Sequence, residues 1–472
     1  MIALGELTRP ATATDETAYD VVPVVRELLA DTTTPVTLFT RLNDPDRPGF
    51  LLEGVSPDGS VGRYSYISHR PRVLPLPPGD PLAALHPLVT SRVAPVPGLP
   101  PFAGGAVGYL GYDVARHFER LPAPPPPAEG LPDAAFLAVD DLAVLDHATR
   151  RLLLVTLHRP REESRADALA RLDAMQARIA APAPEPAPEP AGPPAEWEPE
   201  VDRATFTARV RQAKEHIAAG EAFQIVVSQR FGKPLRAHPL TVYRHLRAVN
   251  PSPYMYHLSL GEGRYVVGAS PELLVRTDGR QVRIRPLAGT RPRGADAPAD
   301  TALERELLAD EKERAEHVML VDLARNDLSR VCRPGTVEVE RMLDVERFSH
   351  VMHLSSTVVG ELAAPHTCLD AIRCAFPAGT LSGAPKIRAM ELIAELEGAG
   401  RGVYGGALGF VGHGGVADLA IALRTLVVSD GTVHVRAGAG VVADSDPDAE
   451  YRETVHKAGA VFAAVRAAEE QA

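Results

Sequence analysis

Two short acidic segments, residues 310–317 (Asp-Glu-Lys-Glu-Arg-Ala-Glu-His) and 449–454 (Ala-Glu-Tyr-Arg-Glu-Thr), hold the side chains of this sequence best suited to chemistry. Each places two glutamates three residues apart, Glu313 with Glu316 and Glu450 with Glu453. On a helix that spacing puts both carboxylates on one face. Two such faces brought together from distant parts of a chain can hold a hard divalent cation. Mg²⁺ takes one or two carboxylates and leaves positions for water and an anionic ligand. Any one pair alone reads as a solvated acidic face. The setting favours the sharper reading, because both segments adjoin glycine-rich or His-containing stretches that suit an anion.

Residues 379–386 (Gly-Thr-Leu-Ser-Gly-Ala-Pro-Lys) form a small-residue turn feeding a helix that starts near Pro385. Proline in the first turn and the free N–H groups of a helix start make an anion site or a loop anchor. The segment lacks the Gly-to-Gly-Lys-Ser/Thr spacing of a P-loop, which disfavours nucleotide binding. Gly438-Ala439-Gly440, directly after a strand, lets a ligand approach the backbone. Residues 285–294 add flexible backbone beside Arg285, Arg291 and Arg293. Taken singly, each of these is also what a tight turn or a surface ion pair looks like.

These groups need elements to position them. Periodicity predicts helices over 203–219, 301–326, 367–375, 385–397 and 447–468. Strands are predicted over 223–231, 265–268, 273–276, 281–285, 350–360, 403–411, 417–428 and 432–442. Strands come in neighbouring runs as well as singly between helices, so the fold class is α+β, with largely antiparallel sheets packed with helices. A Pro-rich stretch at 181–200 reads as a semi-rigid linker between an N-terminal region, 1–180, and a second region, 201–472. A second proline run at 122–127 reads as a surface loop.

With 45% hydrophobic and 24% charged residues among 472, the chain is of ordinary globular composition. A net charge of −11 argues against a general nucleic-acid binder, which needs a basic footprint. It leaves room for a local cationic pocket for a small dianion. Cys332, Cys368 and Cys374 lack metal spacing and read as buried thiols in a reducing compartment. No signal peptide or long apolar span is legible, so a cytoplasmic location without membrane partners is expected.

Taken together, the motifs resemble the chorismate-utilising enzymes, and within them the large synthase components of anthranilate synthase. The matching stretches are 220–230 (Gly-Glu-Ala-Phe-Gln-Ile-Val-Val-Ser-Gln-Arg), 250–255 (Asn-Pro-Ser-Pro-Tyr-Met), 268–272 (Gly-Ala-Ser-Pro-Glu) and 286–294. Further along come 310–317, 349–354, 379–386, the Gly-Ala-Gly turn and the final Glu-Tyr-Arg-Glu-Thr. The resemblance is dense over 203–465 and extends into the first half through 50–53 and 62–65.

It implies a Mg²⁺-dependent lyase of tryptophan biosynthesis that turns chorismate and ammonia into anthranilate and pyruvate. Glu316 and Glu453 match the family's metal ligands, with Glu313 and Glu450 as supporting carboxylates. Glu272 matches the general acid that protonates the leaving hydroxyl, a role that needs a desolvated carboxyl. His353 matches the histidine that removes the ring proton; the nearby His350 matches nothing and reads as structural. Gly289, Thr290, Tyr404, Arg424, Gly438, Ala439 and Gly440 match positions that hold the substrate. Arg424 lies in an otherwise apolar predicted strand, so its charge needs either an internal acid or a ligand carboxylate; the ligand is favoured.

Two positions choose among family members. Water-adding relatives carry a lysine base where this chain has Gln224, and aminodeoxychorismate synthases carry a lysine where it has Ala288. Both point to the anthranilate branch. The rivals are a 2-amino-2-deoxyisochorismate synthase that keeps the enolpyruvyl group, an aminodeoxychorismate synthase, and an inactive paralogue that only binds such anions. The last is expected to have lost one of Glu272, Glu316, His353 or Glu453, and all four are present. No Gly-x-Cys-x-Gly glutaminase elbow surrounds a cysteine, so the resemblance implies a separate glutamine amidotransferase subunit, in a heterotetramer. Tryptophan-inhibited relatives carry Leu-Leu-Glu-Ser facing Asn-Pro-Ser-Pro-Tyr-Met. Here Pro253, Tyr254 and Met255 are kept, but Gly54 replaces the serine, and weakened tryptophan inhibition is expected.

Overall fold

A computed structural model describes residues 3–7, 16–45, 47–54, 62–122, 129–182, 192–348 and 351–471. His350, residues 123–127 of the shorter proline run and residues 183–191 of the longer lie outside the described residues.

Among the described residues the strands collect into two sheets of 13 and 10 strands, and every paired strand is antiparallel to its neighbour. The predicted α+β class is therefore what folds. Helices cover the outer faces. Arg165–Ala180, Pro239–Val249 and Pro447–Gln471 pack on the larger sheet, and Glu311–Ser329 and Cys368–Ala375 on the smaller. A third core fills the space between the sheets, where Phe50 and Tyr66 of one meet Phe102, Tyr109 and Phe410.

Neither sheet respects the sequence division at 181–200. Strand Gly49–Glu53 pairs with Tyr254–Gly261 in the larger sheet, and Gly105–Leu110 pairs with Ala407–Gly412 in the smaller. The N-terminal region thus continues sheets that the C-terminal region begins. All three cysteines are buried and unpaired, as expected.

Two predicted elements are divided, and both breaks matter to the site. The helix expected over 301–326 is two helices, Ala297–Ala309 and Glu311–Ser329. Asp310 between them is extended (φ −69°, ψ 108°), and its carboxylate accepts from the N–H groups of Lys312 and Glu313. Asp310 is the N-cap of a new helix. Glu313 and Glu316 consequently lie in its first turns, where the helix dipole favours negative charge.

The strand expected over 417–428 is likewise two, Val416–Ile421 in the smaller sheet and Thr425–Ser429 in the larger. Between them Arg424 adopts φ +48°, a left-handed conformation that is strained for a residue with a Cβ. The neighbouring connection makes the same crossing: Arg264–Ser270 belongs to the larger sheet, Leu273–Asp278 to the smaller, and Glu272 lies between. The two crossings are laced together, Ile421 N–H donating to the Glu272 carbonyl (3.0 Å) and Ala269 N–H to the Arg424 carbonyl (3.2 Å).

Among the described residues no helix is long and apolar enough to cross a membrane.

Candidate active site

A cavity of about 760 Å³ opens where the chain crosses between the sheets. It is lined by Gln224, Glu272, Gly289, Thr290, Glu313, Glu316, His353, Tyr404, Arg424, Gly438, Gly440, Glu450 and Glu453, thirteen of the fourteen residues assigned to substrate, metal and catalysis. Ala439 is the exception. It is fully buried between cavity-lining neighbours and does not line the space, because side chains alternate along a strand.

The glycines are there to admit particular side chains. A Cβ on Gly438 would lie 2.5 Å from the Tyr404 hydroxyl, and one on Gly440 would lie 2.6 Å from the Gln224 amide nitrogen. Gly289 has φ +67° and sits at a register shift in strand Leu287–Pro292, with the Glu313 carboxylate 3.1 Å from where a Cβ would be. That irregularity turns the Gly289 carbonyl toward His353.

His353 Nδ1 lies 2.9 Å from that carbonyl, which can only accept, so Nδ1 carries the proton. The Thr290 hydroxyl is 3.1 Å from the same nitrogen. Nε2 is left with its lone pair. Burial pushes the imidazole down to about 4, so it is neutral near pH 7.

Glu272 is buried, and desolvation pushes its carboxyl up to about 7. The Thr380 hydroxyl donates to it at 3.0 Å and opposes that rise. Arg424 lines the same wall. Its one hydrogen-bonding side chain among the described residues is the neutral Asn250, at 3.4 Å; burial lowers its pKa, and the charge of Glu272 opposes that fall without a hydrogen bond between the two. A desolvated guanidinium without a carboxylate partner is costly unless an anion completes it.

The two acidic helix faces do meet at this cavity. The Gln224 amide donates to Glu316 at 3.1 Å, and Lys457 Nζ lies 2.6 Å from Glu453. Desolvation raises Glu316, with the charge of Glu313 adding to the rise; Glu450 is raised by desolvation and further by Glu453. Glu313 is held by Arg291 at 3.3 Å. Among the described residues no group of three or more His, Cys, Asp or Glu is drawn into a ready-made metal cage. The donor set still fits Mg²⁺, which asks for one or two carboxylate oxygens and completes its shell with water and ligand.

The 379–386 segment contributes differently from expected. Thr380 and Leu381 line the cavity, whereas the helix that follows starts at Lys386, whose ammonium pairs with Asp327 at 2.9 Å. Sequence reasoning missed Thr380 as the partner of Glu272. It also missed Lys457, although its spacing of four from Glu453 was visible, and Asn250 behind Arg424.

Gly54, Pro253, Tyr254 and Met255, expected to bind tryptophan, sit apart from the cavity. Glu53 is paired with Met255 across the strands, which brings Gly54 alongside Tyr254. Pro253 and Met255 are buried, Gly54 is half-buried, and the Tyr254 hydroxyl accepts from Arg276 at 3.1 Å. None of the four lines the cavity.

A sheet crossing that presents a buried carboxyl, an unpaired guanidinium and two acidic helix faces defines an enzyme of anionic small molecules, and the chain belongs to the chorismate binding enzyme family, whose profile matches residues 71–463. It is 63% identical to anthranilate synthase component 1 of Streptomyces coelicolor, over 98% of this chain and 92% of that protein. Its identity to anthranilate synthase component 1 of Thermus thermophilus is 48%, over 95% and 98% of the two chains. In structure it resembles anthranilate synthase component I of Streptococcus pneumoniae, with TM-score 0.78, 34% identity and coverage of 92% and 98%. The fold is shared with the isochorismate synthase MenF of Escherichia coli, with TM-score 0.73 at 18% identity over 97% of each chain.

Proposed function

We propose that the chain is the synthase component of an anthranilate synthase, a cytoplasmic lyase of tryptophan biosynthesis that converts chorismate and ammonia to anthranilate, pyruvate and water. The carrying observation is that one cavity holds both a protonatable buried carboxyl, Glu272, and a cation, Arg424, that among the described residues has no hydrogen-bonded carboxylate. Arg424, Tyr404 and the backbone at Gly289 and Gly438 hold the carboxylates and hydroxyl of the dianion.

Glu316 and Glu453 would hold Mg²⁺, which when bound would supply charge neutralisation and electron withdrawal for the dianion. Glu313 and Glu450 orient that pair, Glu313 while shared with Arg291. Glu272 in its protonated form gives its proton to the departing ring hydroxyl, which leaves as water. Gln224, open to the cavity beside Glu316, faces the incoming nitrogen. His353 Nε2 takes the ring proton when pyruvate is eliminated, while Nδ1–H stays on the Gly289 carbonyl. Ammonia comes from a glutamine amidotransferase partner, with which the chain assembles as a heterotetramer. Tryptophan binds beside Gly54, Pro253, Tyr254 and Met255.

The test is incubation of the purified chain with chorismate, Mg²⁺ and an ammonium salt at high pH, followed by separation of products. Anthranilate with one equivalent of pyruvate is expected. A non-aromatic amine that keeps the enolpyruvyl group would overturn the reading in favour of an aminated-intermediate synthase.

A further inference from the structure

Behind the cavity lies a buried ion pair that the chemistry above does not use. Arg401 is 1% exposed and Glu397 is 4% exposed. Arg401 Nε and Nη2 donate to the Glu397 carboxylate at 3.0 and 2.6 Å. The same guanidinium donates to two backbone carbonyls, Val226 and Leu381, each at 2.7 Å. It also lies against two rings, 4.6 Å from the centre of Tyr112 and 5.7 Å from that of Tyr404. Glu397 in turn accepts from the Ser228 N–H (2.7 Å) and hydroxyl (2.8 Å) and from Arg436 (3.4 Å).

What these partners carry is the point. Leu381 follows Thr380, the hydroxyl that donates to Glu272. Val226 is two residues after Gln224, which bonds Glu316. Tyr404 presents its hydroxyl over Gly438. A planar guanidinium with fixed donor directions joins three separate segments at one locus, which an ammonium on a flexible stem cannot do.

We propose that Arg401 is a positioning residue for the reaction assigned above: it acts through Leu381, Val226 and Tyr404 to hold Thr380 against Glu272 and Gln224 against Glu316, without touching substrate. The inference rests on that reading of Glu272 as the general acid. The Thr380 hydroxyl lowers the Glu272 pKa against the effect of burial. Slackening the Leu381 tether therefore moves the pH at which the acid is lost upward, as removing the hydroxyl does.

The experiment measures kcat and KM against pH at constant free ammonia and saturating Mg²⁺ for the full chain and for Arg401→Lys, Glu397→Gln and Thr380→Val. Expected for Arg401→Lys is a fall in kcat of about 10- to 100-fold, the range a displacement near 1 Å produces. Chorismate KM should change less than about threefold, since uniform binding is untouched. The descending limb should move to higher pH in both Arg401→Lys and Thr380→Val, with no further shift in the double variant. Glu397→Gln, which keeps the shape of the ion pair but weakens it, gives a smaller shift of the same sign even if Arg401→Lys does not fold. A lowered melting temperature with wild-type kcat and an unmoved limb in the folded variants reduces Arg401 to a structural residue. An unmodified chain that makes no anthranilate at all sinks the functional reading instead.

Discussion

Arg401 and Arg424 are both taken out of bulk water beside the same cavity, and the protein treats them in opposite ways. Arg401 donates at 3.0 Å or less to a carboxylate and to two carbonyls. Among the described residues Arg424 reaches one neutral amide, at 3.4 Å, from a strained backbone conformation. Desolvating a guanidinium costs several kcal/mol in either place. At Arg401 the protein's own acceptors repay that cost, and the residue becomes scaffold. At Arg424 repayment is deferred, which is the condition for a ligand carboxylate to bind with the full strength of a charge-assisted pair. The distinction between structure and site here is a matter of donors left without acceptors: the residue type is the same, but Arg401 is fully buried among its partners whereas Arg424 is half-buried at the cavity wall.

That contrast can be broken experimentally, most severely at Arg424. Arg424→Met should lower kcat/KM for chorismate by about 10³-fold while leaving the melting temperature unchanged or higher, because an uncompensated charge is removed. A collapsed melting temperature with retained chorismate affinity would make Arg424 a second scaffold residue. Arg401→Met should do the reverse to stability, costing about 3–5 kcal/mol in denaturant unfolding, because it leaves Glu397 short of its main partner. Asn250→Asp sharpens the comparison by giving Arg424 an internal carboxylate. KM for chorismate should rise by about 10²-fold and stability should increase, readable in steady-state kinetics and a thermal melt.

With Glu272 as the proposed general acid, its carboxyl sets the expected pH dependence. Its folded pKa, about 7, is raised above that of an exposed carboxyl. The acid form is therefore lost as pH rises through 7, and at constant free ammonia activity should fall on that side. The same shift means that stability contributed by proton uptake is fully present below the unfolded pKa and disappears as pH rises through the folded one. Glu272→Gln should accordingly be inactive by about 10²-fold or more, and should stabilise the protein more at pH 8 than at pH 5. Equal stabilisation at both pH values would place the carboxyl's titration elsewhere. The smallest effect belongs to Gly54, remote from both arginines. Gly54→Ser should tighten tryptophan inhibition by about 1 kcal/mol, roughly fivefold in the inhibition constant measured in steady-state kinetics.

Much of the site was legible because its parts are local motifs. The spacing of Glu313 with Glu316 and of Glu450 with Glu453 requires only helices, and both segments are helical. What was not legible depends on partners far along the chain. The apolar run over 417–428 reads as one strand because periodicity reports burial and cannot say which sheet is being joined; Arg424 marks the change of sheet. The break at Asp310 had a local signal, a capping residue followed three positions later by a glutamate, overshadowed by continuous helical patterning on either side. Ala439 sits inside a Gly-Ala-Gly motif yet faces away, since a motif names a segment and strand alternation selects within it. Arg401 lies in a glycine-rich stretch without periodicity, where nothing local announces that its contacts are Val226, Leu381 and Glu397.

The shared sheets bear on how this polypeptide comes into being. Strand Gly105–Leu110 has one neighbour nearby in the chain, Ala134–Val139, but finds its second only when Ala407–Gly412 has been made; Gly49–Glu53, paired early with Tyr64–Ser68, waits for Tyr254–Gly261 on its other edge. During synthesis each of these strands therefore leaves the ribosome with one edge open, Gly49–Glu53 until about half of the chain has emerged and Gly105–Leu110 until nearly all of it has. Contacts so distant in sequence make for slow folding. The N-terminal region expressed by itself should aggregate, and supplying the C-terminal region in trans during refolding should recover soluble protein better than adding it afterwards.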